Sequence, residues 1–158
     1  MARLNLVAAN KEARAPRVRA TARPVAVIVP PSNDDQKDHF ITRNGLSYAG
    51  SHLIIDLWEA EGLADRERIE TALIDAVHAA GATLLHIHLH TFEEGGGISG
   101  VAVLAESHIS VHTWPEKGYA AFDVFMCGDA QPRKALDVFK RAFNPGRLVV
   151  GEHKRGVV

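Results

Sequence analysis

The sequence predicts a two-layer α/β sandwich of the α+β kind, a mainly antiparallel sheet with two helices on one face. Three observations lead there. The periodicity reads β-α-β-β-β-β-α-β from Leu46 onward. Consecutive strands in the middle of that order are joined by short turns, which pair strands antiparallel, whereas parallel pairing needs a long crossover. Only two segments carry helical periodicity, and two amphipathic helices can cover only one face of such a sheet. A chain of 158 residues with 46% hydrophobic content supports one core and not two. The uncovered sheet face then calls for a partner, so a homodimer is expected.

Each element has its own signal. Leu53, Ile55 and Leu57 alternate with His52, Ile54, Asp56 and Trp58, which suits a strand with one well-buried face. Asp65 is placed to cap a helix whose stripe is Ile69, Leu73, Ala76, Val77 and Ala80, and Gly81 stops it. Thr83 to Phe92 reads as a second strand, and Glu93-Glu94-Gly95-Gly96-Gly97 turns the chain into a third, Ser99 to Ala105. Ser107 to Thr113 and Tyr119 to Met126 follow, separated by Trp114-Pro115-Glu116-Lys117-Gly118. Pro132 opens a helix carrying Ala135, Leu136, Phe139 and Phe143, Asn144-Pro145-Gly146 ends it, and Arg147 to Glu152 is the last strand.

Residues 1–45 differ in character. Arg3, Lys11, Arg14, Arg17, Arg19 and Arg23 stand among Ala and Pro, and Pro30-Pro31-Ser32-Asn33 breaks any element. This stretch reads as a basic, Pro-containing flexible extension, with the folded domain at 46–158. With 18 basic against 19 acidic residues the chain lacks the field that non-specific nucleic-acid binding needs, and no nucleic-acid partner is expected. No run of about 18 apolar residues is present, so no membrane span is expected. One Cys excludes an internal disulfide framework and a Cys-rich zinc module and fits a reducing, cytoplasmic setting.

Nine His in this length are the first hint of chemistry. His86, His88 and His90 alternate with Leu85, Ile87 and Leu89, so a strand would set three imidazoles on one face. They could ligate a divalent metal or line a polar pocket without one; the spacing along a strand makes convergence of all three on one ion difficult, and no metal is expected. Glu106-Ser107-His108 sits between two apolar strands and is followed by His112. From Ser107 the period of two sets Ile109 and Val111 on its own face and His108, Ser110 and His112 on the opposite one. A serine hydrolase reading has little support, because no Gly-x-Ser-x-Gly elbow surrounds Ser107.

The run Ser99-Gly100-Val101-Ala102-Val103-Leu104-Ala105-Glu106-Ser107-His108-Ile109-Ser110-Val111-His112-Thr113-Trp114-Pro115-Glu116 goes further, and so does Gly118-Tyr119-Ala120-Ala121-Phe122-Asp123-Val124-Phe125-Met126-Cys127-Gly128. Together they resemble the prokaryotic S-adenosylmethionine decarboxylase proenzyme family. Gly50-Ser51-His52-Leu53, Gly81-Ala82-Thr83 and Glu152-His153 match as well, so the resemblance spans about residues 48–155. It implies a pyruvoyl-dependent enzyme that cleaves itself between Glu106 and Ser107, leaving a β chain of 1–106 and an α chain that begins with the pyruvoyl group made from Ser107. It further implies His112 as the processing base, Ser99 as an aid to the acyl shift and Cys127 as the proton donor of turnover. Serine suits this chemistry: its Oγ can take the acyl group of the preceding residue, and loss of the α-proton then leads through dehydroalanine to a ketone. That ketone forms a Schiff base with the substrate amine, and the adjacent amide carbonyl takes up electrons as CO2 leaves, the role pyridoxal phosphate fills elsewhere.

For the substrate, the resemblance assigns Phe92 and Trp114 to the adenine and Glu116 to the ribose of S-adenosylmethionine. Two departures bear on it. The loop from Phe92 to Ser99 is one residue longer than the family pattern and carries Glu93-Glu94, and Lys117 stands where an aromatic residue is usual. A Glu pair would also suit the terminal cation of L-ornithine or L-arginine, the alternative substrates of the same machinery. The complete Phe92, Trp114 and Glu116 set favours S-adenosylmethionine, whose decarboxylated product is the aminopropyl donor for spermidine.

Overall fold

The structure, a computed structural model, describes residues 40–93 and 95–158. Residues 1–39, most of the segment read as an extension, and Glu94 of the Glu93-Glu94 pair lie outside the described residues. β1 (Ile41–Arg43), at the end of the stretch read as an extension, pairs antiparallel with β2 (Leu46–Tyr48) as a hairpin. Its two-residue loop is Asn44-Gly45, with φ of 53° and 76°. Asn and Gly are the residues that tolerate two successive positive φ values, and the twist of such a turn matches paired strands. Tyr48 is buried beneath the Lys154 ammonium, 4.8 Å from its ring.

The remaining strands are β3 (Gly50–Trp58), β4 (Leu84–Thr91), β5 (Ile98–Leu104), β6 (Ser107–Trp114), β7 (Tyr119–Met126) and β8 (Arg147–Arg155). They form one sheet in the order β4-β5-β6-β7-β3-β8, every neighbouring pair antiparallel. Helices α1 (Arg66–Ala80) and α2 (Lys134–Phe143) pack together over one face, the sandwich expected. Asp65 caps α1 by accepting from the Arg68 N–H at 3.0 Å, and Gly81 ends it at φ 74°, a left-handed position that costs glycine nothing. Among the described residues no helix is long and apolar enough to cross a membrane.

Alternation assigns the core. Leu53, Ile55 and Leu57 of β3, Ile109 and Val111 of β6, and Phe122, Val124 and Met126 of β7 are buried against Ile69, Leu73, Val77, Phe139 and Phe143 of the helices. Phe122 stacks on Phe139 at 4.3 Å and lies 5.6 Å from Phe143, so the central strand is clamped to α2 by three rings. One expectation fails on β4. The register skips between Leu84 and His86, and the bulge turns Leu85 outward at 64% exposure. Leu84, not Leu85, joins Ile87 and Leu89 on the helix side.

The other face is open and is ordered into rows by the pairing. One row reads His86, Val103, His108, Phe125, His52, His153. The next reads His88, Val101, Ser110, Asp123, Ile54, Gly151, and the third His90, Ser99, His112, Ala121, Asp56, Val149. Beyond them Trp114 pairs with Tyr119 and Trp58 with Arg147. Ile54, Trp58, Val103, Trp114 and Val149 are exposed there, an apolar and aromatic content unusual for a solvated sheet face.

Phe122→Ala empties the space between the sheet and α2, and it is expected to cost about 3–5 kcal/mol of stability. Chemical denaturation followed by circular dichroism checks this; Phe125→Ala on the open face of the same strand, measured alongside, should cost distinctly less.

Candidate active site

The loop between β5 and β6 has two residues, Ala105 and Glu106, because Leu104 pairs with Ser107. Glu106 stands at φ 66°. A side chain there crowds the following carbonyl, at a cost of about 1–2 kcal/mol relative to right-handed backbone. In two-residue hairpin loops the comfortable turns put a positive φ first or at both positions; here only the second has it, the position where glycine is the ordinary choice. Strain at this one link is what the sequence alone left open, and it falls on the residue that donates the carbonyl carbon of the Glu106–Ser107 bond.

Ser107 is buried on the helix side of β6, and its Oγ accepts the Cys127 N–H at 3.2 Å. β7 ends at Met126, so antiparallel pairing with β6 delivers Cys127 to the start of β6. Glu106, Ser107 and Cys127 therefore meet at one end of the sheet. Burial pushes the Cys127 thiol pKa above its ordinary value, and the Glu106 carboxylate adds to the rise. The thiol keeps its proton, which suits an acid rather than a nucleophile.

Ser99 and His112 meet elsewhere. They are paired across β5 and β6 in the third row of the open face, with the Ser99 hydroxyl 2.8 Å from the His112 Nδ1. His112 lies five positions along β6 from Ser107, roughly 16 Å, and on the opposite face of the sheet. Within one protomer the expected processing base and its target are thus apart. Trp114, Glu116 and Phe92 gather at the far end, about 23 Å from Ser107 by strand length. Trp114 ends β6, Glu116 is exposed in the 3₁₀ turn Pro115–Lys117, and Phe92 follows β4 with its N–H on the Gly97 carbonyl at 3.1 Å. Lys117 is exposed beside Glu116.

For several further polar groups, sequence reasoning could place the residue on a strand but not find its partner. Asp123 lies 3.1 Å from His52 Nε2 and accepts from the Ser110 hydroxyl at 3.2 Å. Tyr119 donates its phenolic proton to Asp56 at 2.6 Å, which pushes its pKa up to about 12. His108 is held below the ordinary imidazole value by burial first and by His52 next, against the pull of Asp123. Buried Thr113 accepts from the Ile98 N–H and donates to the Leu63 carbonyl, both at 2.8 Å, tying β6 to β5 and to the loop before α1. Alternation on β3 and β7 was the available signal for His52, Asp56, Tyr119 and Asp123; their partners required the register. His86, His88 and His90 line the edge strand, and among the described residues no three His, Cys, Asp or Glu side chains gather as a metal site.

The sequence model of the S-adenosylmethionine decarboxylase family matches residues 51–156. The chain is 43% identical over 110 residues to the S-adenosylmethionine decarboxylase proenzyme of Thermomicrobium roseum, an alignment spanning 69% of this chain and 95% of the relative. A proenzyme of the same name from Methanococcus maripaludis is 46% identical over 112 residues, 69% of this chain and 91% of the relative. Among solved structures, the adenosylmethionine decarboxylase of Aquifex aeolicus superposes with a TM-score of 0.61 at 37% identity, covering 70% of this chain and 93% of the other. The strained Glu-Ser turn, the thiol beside it and the helix-backed antiparallel sheet thus sit in a chain that belongs to the S-adenosylmethionine decarboxylase family.

Proposed function

We propose that the protein is a self-processing decarboxylase that converts S-adenosylmethionine into decarboxylated S-adenosylmethionine and CO2, the aminopropyl donor for spermidine. The observation that carries this reading is the Glu106–Ser107 link itself, a left-handed residue feeding a buried serine whose Oγ accepts the backbone N–H of the only cysteine of the chain. The named relatives are S-adenosylmethionine decarboxylase proenzymes, which supports this substrate over ornithine or arginine.

Processing follows from the groups present. The Ser107 Oγ attacks the Glu106 carbonyl carbon; the C–N bond breaks as an ester forms, and the strain at Glu106 is released. Removal of the residue-107 α-proton then expels the Glu106 carboxylate and leaves dehydroalanine. Tautomerisation and hydrolysis release ammonia and leave a pyruvoyl group at the new N-terminus. When formed, that group supplies a carbonyl for the substrate α-amine and an electron sink for decarboxylation. Cys127 is placed to return a proton to the substrate carbon, with burial keeping its thiol protonated. A lone working thiol also favours a reducing, cytoplasmic setting.

The separation of the clusters supports a homodimer of cleaved protomers. Two open faces laid together with their strands antiparallel bring the Ser107 end of one sheet toward the Ser99, His112, Phe92, Trp114 and Glu116 end of its partner. Aligned sheets pack about 10 Å apart, close enough for side chains of both to line one site. Severing the 106/107 bond opens the hairpin loop, so residue 107 can leave its buried position for that site.

Intact mass spectrometry is expected to show two fragments split between 106 and 107. Ser107→Ala abolishes the split, and Cys127→Ala leaves it intact while lowering turnover by about two orders of magnitude, the usual range for loss of a positioned proton donor; a fully active Cys127→Ala enzyme removes that assignment. Because burial raises the thiol pKa, the proton-donor form persists as pH rises, and the alkaline fall in kcat should lie above the pH at which an exposed thiol ionises. A kcat–pH profile of the cleaved enzyme reads this directly. Co-expression of Ser107→Ala with His112→Ala chains is expected to restore cleavage of the His112→Ala chain alone, because its Ser107 meets the intact histidine of the other subunit. If the mixture stays uncut, processing is confined to a single chain.

A further inference from the structure

At the end of the open face beyond the His112 row, rings from three strands and a cation from a fourth stand side by side. The Arg147 guanidinium lies 5.2 Å from the Trp58 ring. Trp58 and Tyr119 have centroids 4.4 Å apart at 31°, and Tyr119 and Trp114 follow at 5.2 Å and 29°. Register makes the row: Trp58 opposes Arg147, Trp114 opposes Tyr119, and the β3–β7 ladder reaches Leu57–Ala120, one step short of Trp58 and Tyr119. Neighbouring strands are about 4.8 Å apart, so rings raised upright in one row stack at nearly the strand spacing. What holds the middle ring upright is the Tyr119 hydroxyl, anchored on Asp56 at 2.6 Å.

We propose that this stack presents the Trp114 indole to the adenine of the substrate, with Tyr119 as the positioning residue and Trp58 and Arg147 as its backing. The inference rests on the reading of Trp114 as a substrate contact. Trp114 is 42% exposed at a strand end, where an unsupported indole would sample several rotamers and lose that freedom on binding. Tyr119 covers one of its faces. On its other side the neighbouring chain position is Gly97, which carries no side chain and whose close approach to the Thr113 carbonyl leaves a Cβ only 2.5 Å from that oxygen. Beyond Gly97 comes Phe92, bonded to it through the backbone and in edge contact with His90 at 4.9 Å. A purine entering over Gly97 extends the row as its next ring. Offset stacking adds to the area such a ring buries, and it requires the indole plane to be set beforehand.

Both tryptophans of the chain belong to this row, so tryptophan fluorescence, excited selectively, reports on it alone. The test compares self-cleaved wild type with Tyr119→Leu, Tyr119→Phe, Trp58→Leu and Trp114→Leu, by steady-state kinetics on S-adenosylmethionine and fluorescence titration with adenosine. Tyr119→Leu is expected to raise KM about tenfold, equivalent to about 1.4 kcal/mol, with kcat changed less than twofold and cleavage at 106/107 as in wild type. Tyr119→Phe, which keeps the ring, should return KM to within threefold, and the adenosine midpoint should move in parallel with KM. Trp58→Leu shortens the stack from its far end and should raise KM about threefold; it decides the matter if Tyr119→Leu fails to fold or cleave. A KM unmoved by Tyr119→Leu, or by Trp58→Leu in its place, while Trp114→Leu raises it overturns the positioning role and leaves the substrate contact standing. A KM unmoved by Trp114→Leu removes the substrate contact, and the stack's role with it.

Discussion

A two-residue loop between β5 and β6 ties the fold to the chemistry. Its length is set by the pairing of Leu104 with Ser107, and that pairing is set by two strands whose inner residues must all face the helices. With no third residue to absorb the turn, Glu106 is driven to a positive φ that its side chain disfavours. The core is therefore what maintains the strain: Ile109, Val111, Ala102 and Leu104 cannot shift register without exposing a whole face of each strand. The proposed break at the Glu106–Ser107 link would relieve a distortion that the rest of the molecule enforces.

The same alternation divides the molecule into two working surfaces. One is an apolar layer sealed by α1 and α2, with Phe122, Phe139 and Phe143 at its centre. The other is a grid of imidazoles, carboxylates, hydroxyls and rings, in which every polar group on β3, β6 and β7 has a cross-strand neighbour. A buried core behind the grid gives its side chains fixed footings, and this is how Ser99 and His112 come to lie 2.8 Å apart without belonging to the same element. The grid also spreads the groups of the proposed reaction over the full length of β6, from Ser107 at its start to Trp114 at its end. A strand cannot fold back on itself to close that distance, which is why the proposed site draws on a second sheet.

At the aromatic end, the proposed substrate contact draws on rigidity in another way. The row Arg147, Trp58, Tyr119, Trp114 crosses four strands, and its central phenol is tied down by a carboxylate one row away. Each ring restrains the next, so the outermost is ordered by contacts that need not touch any ligand.

Much of this was legible in the chain before any fold was known. Element types and nearly all their limits follow from local causes: the period of alternation, an Asp cap, a Gly stop, a Pro and a Gly at turns. Glu106-Ser107, His112 and Cys127 stood out because so specific a combination of short motifs is hard to meet by chance. What the chain could not disclose depends on which strands lie side by side. The register sets His52 beside Asp123 and Tyr119 beside Trp58, 71 and 61 positions apart, and no local signal carries that information. The bulge at Leu85 and the hairpin that starts at Ile41 were missed for opposite reasons: the bulge is a tertiary adjustment, whereas Asn44-Gly45 was a local sign passed over because the stretch before it is basic and broken by prolines. Local sequence decides what each segment becomes, because backbone preferences act over a few residues. Only the packed sheet decides which side chains share a row, because that depends on burying one face of every strand at once.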